Sequence, residues 1–103
     1  MPSKMDNVVR EIKSNLEEHG FYSIQMNKKQ GMVIITAYAG ASQKYECYVS
    51  QLPDIIEVYQ WMNGKGGYII NIGDSYEPEY IGHDMEVMFR LWGASPPLTP
   101  LNA

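Results

Sequence analysis

His19, His83 and Cys47 are the side chains of this 103-residue sequence that could serve as base or nucleophile, and four acids, Asp74, Glu77, Glu79 and Asp84, gather around the second histidine. A cysteine nucleophile needs a base within hydrogen-bond reach and a third group to orient that base. The spacing supplies no such set. Cys47 alternates with Tyr45 and Val49, as a small core residue does. His19 falls at a helix end, where an imidazole favours the helix dipole without performing a reaction. The segment from Asp74 to Asp84 offers ligand types that a hard or borderline cation accepts, yet it matches no calcium-loop or zinc spacing. It reads as a solvated acidic loop, or as an acidic contact surface for a basic partner. Paired carboxylates can divide acid and base roles once burial separates their pKa values, and nothing in this segment predicts such burial. Asn63-Gly64-Lys65-Gly66-Gly67 is glycine-rich but precedes a strand, and no Ser or Thr follows the lysine as a phosphate loop requires. The expectation is a protein that is not an enzyme and that uses neither metal nor cofactor.

The elements that position these residues follow from periodicity. Ser3 followed by Asp6 forms a helix-start signature, and Met5, Val8, Val9, Ile12 and Leu16 make one buried stripe that Gly20 ends. Phe21 to Ser50 then reads as three strands with two tight connections. Tyr22, Ile24 and Met26 alternate with polar neighbours, and Asn27 to Gly31 has the composition of a hairpin turn. Met32 to Ala39 is apolar on both faces, the pattern of a central strand. Tyr45, Cys47 and Val49 return as the third. Pro53 and Asp54 suit a helix start, so a second helix is expected with Leu52, Ile55, Ile56, Tyr59 and Met62 as its stripe and Asn63-Gly64 as its stop. A fourth strand covers Tyr68 to Ile72. From Asp84 to Trp92 helix and strand templates compete; Asp84 as cap, the Glu86–Arg90 pair and Gly93 as stop favour helix.

The predicted fold is α+β, a two-layer sandwich of an antiparallel sheet of about four strands with helices on one face, in the order α-β-β-β-α-β-α. Residues 1–94 form a single domain. The stretch 95–103, with Pro96, Pro97 and Pro100, reads as a flexible tail.

Composition excludes several classes. Apolar residues make up 45% and charged residues 19%, a globular balance, and no apolar run approaches the roughly 20 residues that span a bilayer. The first ten residues lack the apolar core of a secretory signal, so the expected location is cytoplasmic, and a single cysteine agrees with a reducing compartment. A net charge of −4 with scattered cations argues against nucleic acid as a partner.

If the helices cover the sheet face bearing Ile24, Ile35 and Cys47, then Met32, Ile34, Tyr38 and Tyr48 lie on a bare one, and such patches mark interaction sites. The candidate partner-binding residues are accordingly Tyr38 and Tyr48 on the sheet with Tyr76, Glu77, Glu79 and Tyr80 on the loop. The leading expectation is a small acidic non-catalytic protein-binding module of inhibitor, immunity or adaptor type, of the kind bacteria, phages and other mobile elements encode, with a protein partner that carries a basic surface. The alternative is a homodimeric structural or small-ligand-binding domain that self-associates through the sheet face. The helix, three strands, helix start resembles double-stranded-RNA-binding domains in element order, but Pro53, Asp54 and Glu57 stand where those domains carry a lysine cluster. The full order with an acidic pI also resembles type III secretion chaperones, which implies dimeric, chaperone-like binding of a partner segment.

Overall fold

The computed structural model of the protein describes residues 3–92. Helix α1 (Lys4–Glu18) begins with a reciprocal cap: the Asp6 N–H donates to Ser3 Oγ at 3.0 Å, and the Ser3 N–H donates to Asp6 Oδ2 at 3.2 Å. The backbone bond from Ser3 holds the Asp6 carboxyl below the usual carboxylate range. At the other end Gly20 donates to the Glu17 carbonyl and Phe21 to that of Leu16, both at 3.0 Å, which satisfies two carbonyls of the last turn. Val8, Ile12 and Leu16 form the buried stripe.

Five strands follow in one antiparallel meander: β1 (Tyr22–Lys29), β2 (Met32–Ala39), β3 (Gln43–Gln51), β4 (Ile56–Met62) and β5 (Lys65–Ile72), neighbours in sequence being neighbours in the sheet. A short 3₁₀ turn, Pro78–Tyr80, leads into helix α2 (Ile81–Leu91). The helices pack on one face, where Ile81, Met85, Met88 and Phe89 of α2 join the α1 stripe over Val33, Ile35, Tyr45, Cys47, Val49, Val58 and Ile72. The rings of Phe21, Phe89 and Tyr45 meet at centroid separations of 5.7 and 5.8 Å and tie the two layers together.

The α+β sandwich with helices on one face is therefore the architecture, with five strands and the order α-β-β-β-β-β-α. The difference lies in residues 52–62, which are not a helix. Ile56, Val58 and Gln60 are buried and alternate with outward Glu57, Tyr59 and Trp61, a period of two that a short run can share with a helical stripe. Four of the first six residues of β4, Ile56, Val58, Tyr59 and Trp61, are β-branched or aromatic, which favours strand. Asn63 and Gly64 both take positive φ, +54° and +76°, the geometry of a two-residue hairpin loop and not of a helix stop. Pro53 and Asp54 make the preceding turn, across which Leu52 donates to the Ile55 carbonyl at 2.9 Å. The second helix on which both family likenesses depended is thus a strand. Helix α2 starts at Ile81, three residues before the expected cap; Asp84 stands in its first turn. Gly93 and the expected tail at 95–103 lie outside the described residues.

One local irregularity re-aims a side chain. Tyr22 pairs with Tyr38 and Gln25 with Thr36, so Ser23 and Ile24 together oppose Ala37 in a bulge, with Ser23 at φ +52°. Tyr22 consequently shares the bare face with Gln25, while Ile24 and Met26 point toward the helices.

Candidate interaction surface

Strand register builds the bare face as rows that cross the sheet. The central row is Asn27, Ile34, Tyr48, Tyr59 and Ile69, one residue from each strand in turn. Gln25, Thr36, Glu46 and Trp61 make the row on one side; Lys29, Met32, Ser50, Glu57 and Asn71 make that on the other. The aromatic centre is a packed trio: Trp61 lies 5.2 Å from Tyr48 and 4.8 Å from Tyr59, ring centre to ring centre, with tilted planes. Such contacts fix the side chains relative to one another, and are worth about 0.5–1.5 kcal/mol per pair. Tyr59 leans across the bulge of β5, where a methyl group on Gly67 would stand 2.9 Å from its Cε1. Glycine at 67 therefore provides the seat for that ring.

Although packed against one another, these side chains stay open to solvent: Tyr48 is 38%, Tyr59 41% and Ile69 50% exposed. Around them stand Thr36, Ser50 and Asn71 and the charges of Lys44, Glu46 and Glu57; Lys44 and Glu46 approach to 3.9 Å. The face thus has an apolar aromatic centre inside a polar rim that carries one lysine and two glutamates.

Of the residues expected at the site, Tyr38 and Tyr48 are on this face and exposed, and Tyr38 lies 6.4 Å from Tyr22. Tyr76, Glu77, Glu79 and Tyr80 are elsewhere. They precede α2 within the helix layer, where Tyr76 is packed against the core and stacks edge-on with Tyr80 at 5.7 Å. The Tyr76 hydroxyl donates to Asp84 Oδ2, and burial together with that carboxylate raises its pKa above the ordinary phenol value. The two groups do not form one surface. Tyr59 and Trp61 were missed because a helical reading of 52–62 put Tyr59 in a buried stripe; the alternation from Ile56 to Met62 was the signal that places them beside Tyr48, and Ile69 joins the row only through the pairing of β5 with β4.

The residues with reactive potential lie apart. Cys47 is fully buried, and desolvation pushes its thiol up to about 12, far from the thiolate a nucleophile requires. His19 Nδ1 is 2.8 Å from the Asn15 carbonyl and its Nε2 is 3.6 Å from Glu86, while its ring packs 4.7 Å from Phe89. His83 is exposed in the first turn of α2. Among the described residues no three His, Cys, Asp or Glu side chains converge as a metal would need, and no helix is long and apolar enough to cross a membrane.

Comparison with protein-family models, curated proteins and solved structures gives no match for this chain.

Proposed function

We propose that the protein is a small non-catalytic binding module whose bare sheet face receives a protein partner. The observation that carries this reading is the packed trio of exposed Tyr48 and Tyr59 with half-buried Trp61 at the centre of that face. Tyrosine and tryptophan are the residue types that anchor protein interfaces, because each brings large apolar area, few rotamers to freeze and a polar tip. The rim supports a partner that comes and goes: Lys44, Glu46 and Glu57 keep the free module soluble, whereas permanent homodimer faces are more uniformly apolar.

The test compares the wild-type protein with a Tyr48→Ala/Tyr59→Ala/Trp61→Ala variant as baits for affinity capture, with light scattering on both. The expected result is a protein recovered near stoichiometric yield by the wild type and lost by the triple variant, since truncating an anchor of this kind costs about 2 kcal/mol or more. A Glu77→Lys/Glu79→Lys variant, altered on the helix side, should retain it. Capture that survives the triple substitution would overturn the reading. A wild-type dimer that the triple variant reduces to monomer would replace it with self-association.

A further inference from the structure

The helix layer stops short of β1. None of that strand's eight residues is buried, whereas Ile70 and Ile72 at the opposite edge of the sheet are. Met26 and Lys28 stand opposite buried Ile35 and Val33 and so point to the helix side, yet Met26 remains 44% exposed. Between α1 and β1 runs a groove of about 370 Å³ floored by Val9, Met26 and Val33. Its polar rim is Arg10, Lys13 and Lys28 with Asp6; Ser3 holds Asp6 in the helix cap and Lys13 is paired with Glu17 at 2.9 Å, which leaves Arg10 and Lys28 as the cations open to a ligand. The groove continues into a second hollow of about 280 Å³ that adds Lys29. In a chain with twelve acids and eight cations, this is a local reversal of charge.

The outer edge of β1 pairs with no strand among the described residues, so a row of backbone donors and acceptors runs beside this cationic groove. An extended segment added to that edge would send alternate side chains to opposite faces, and those on the helix side would enter the groove. Apolar side chains there meet Val9 and Met26; carboxylates meet Arg10 and Lys28. We propose that the β1 edge and its groove dock an extended segment of another protein, rich in Asp and Glu alternating with apolar residues, by strand addition. A second copy of the chain does not suit the site, because its own β1 offers Lys28 and Lys29 again and lacks the carboxylates.

This inference stands apart from the sheet-face reading, and the experiment keeps the two distinguishable. A display library of random ten-residue peptides is selected against the immobilised full-length protein, and the most enriched peptide is synthesised for binding and amide-shift measurements. Enriched peptides should alternate acidic with apolar residues. The synthetic peptide should shift amides of β1, bind roughly tenfold more weakly to an Arg10→Glu/Lys28→Glu variant, and weaken as salt is added. Both positions are exposed, so circular dichroism of that variant should match the wild type, and the Tyr48/Tyr59/Trp61 alanine variant should bind the peptide normally. No enrichment over the unselected library, a basic or uncharged consensus, or binding indifferent to the charge reversal would each overturn the proposal.

Discussion

Replacing Tyr45 by Phe and Gln60 by Leu together should make the protein more stable. Gln60 is the buried polar residue of the core, and its Oε1 accepts the Tyr45 hydroxyl at 2.6 Å while its Nε2 has no hydrogen-bond partner among the described residues. A buried donor without an acceptor costs about 1–3 kcal/mol. Tyr45→Phe alone leaves the amide unpaired at both ends, so it should destabilise by about 1–3 kcal/mol. Gln60→Leu alone removes the orphaned donor but takes the acceptor from the Tyr45 hydroxyl, and these opposed changes of about 1–3 kcal/mol nearly cancel. The double replacement removes donor, acceptor and orphan at once and fills the same volume with apolar atoms, so it should gain about 1–3 kcal/mol over the wild type. Urea unfolding followed by tryptophan fluorescence measures all three variants, with the slope serving as a check that the unfolded state is unchanged. A double variant less stable than wild type at equal slope would refute the argument, because it would mean that Nε2 is satisfied and the polar pair stabilising.

The raised Cys47 thiol predicts alkaline instability. An unfolded thiol loses its proton near 9.0 and the native one near about 12, so above pH 9 the unfolded state binds fewer protons and stability falls, by at most about 1.4 kcal/mol per pH unit. Urea midpoints at pH 8, 9 and 10 should decline more steeply in the wild type than in Cys47→Ala, whose Tyr45 and Tyr76 hydroxyls, also raised by burial, leave a smaller fall that begins only near pH 10; parallel curves would show that the thiol is not the cause. Asn63→Ala tests the β4–β5 hairpin, since Asn63 adopts φ +54°, accepts the Lys44 N–H on Oδ1 and donates its own N–H to the Lys44 carbonyl, both at 2.8 Å. It should cost about 1–2 kcal/mol in a urea melt, and a change within error would contradict that role.

What was legible in the sequence was local. The Ser3–Asp6 cap and a clean apolar stripe identify α1 without reference to the rest of the chain, and strict alternation in β2 and β3 assigns Tyr38 and Tyr48 to the same face. Residues 52–62 defeated the same logic because Pro53-Asp54 and Asn63-Gly64 are punctuation that helices and hairpins share, and the apolar positions between them fit both periods. The misreading hid two of the three rings of the aromatic centre, since Tyr59 and Trp61 join Tyr48 only once β4 is known to pair with β3. The bulge that turns Tyr22 outward follows from one residue's φ, which no spacing rule encodes. The groove beside β1 is a property of where α1 lands on the sheet, and its cations come from segments that are separate in sequence.

Gln60 sits between Tyr59 and Trp61, and that position gives its burial a use beyond stability. The period of a strand is two, so a slip of one residue between β3 and β4 would turn both aromatic rings into the core and carry Ile56 and Val58 to solvent. Hydrophobic residues resist such a slip only through their summed burial. The hydroxyl-to-amide bond from Tyr45 to Gln60 resists it by geometry, because it closes at 2.6 Å in one register. Cys47 and Gln60 face each other across the same two strands on the helix side, directly behind the pairing of Tyr48 with Tyr59 on the bare side. The core polar pair and the exposed aromatic pair are thus two consequences of one register. On this reading an unsatisfied amide is retained at a cost in stability because it fixes where the aromatic centre appears, which is why the stabilised double variant should be examined for the Tyr48–Trp61–Tyr59 packing as well as for its unfolding midpoint.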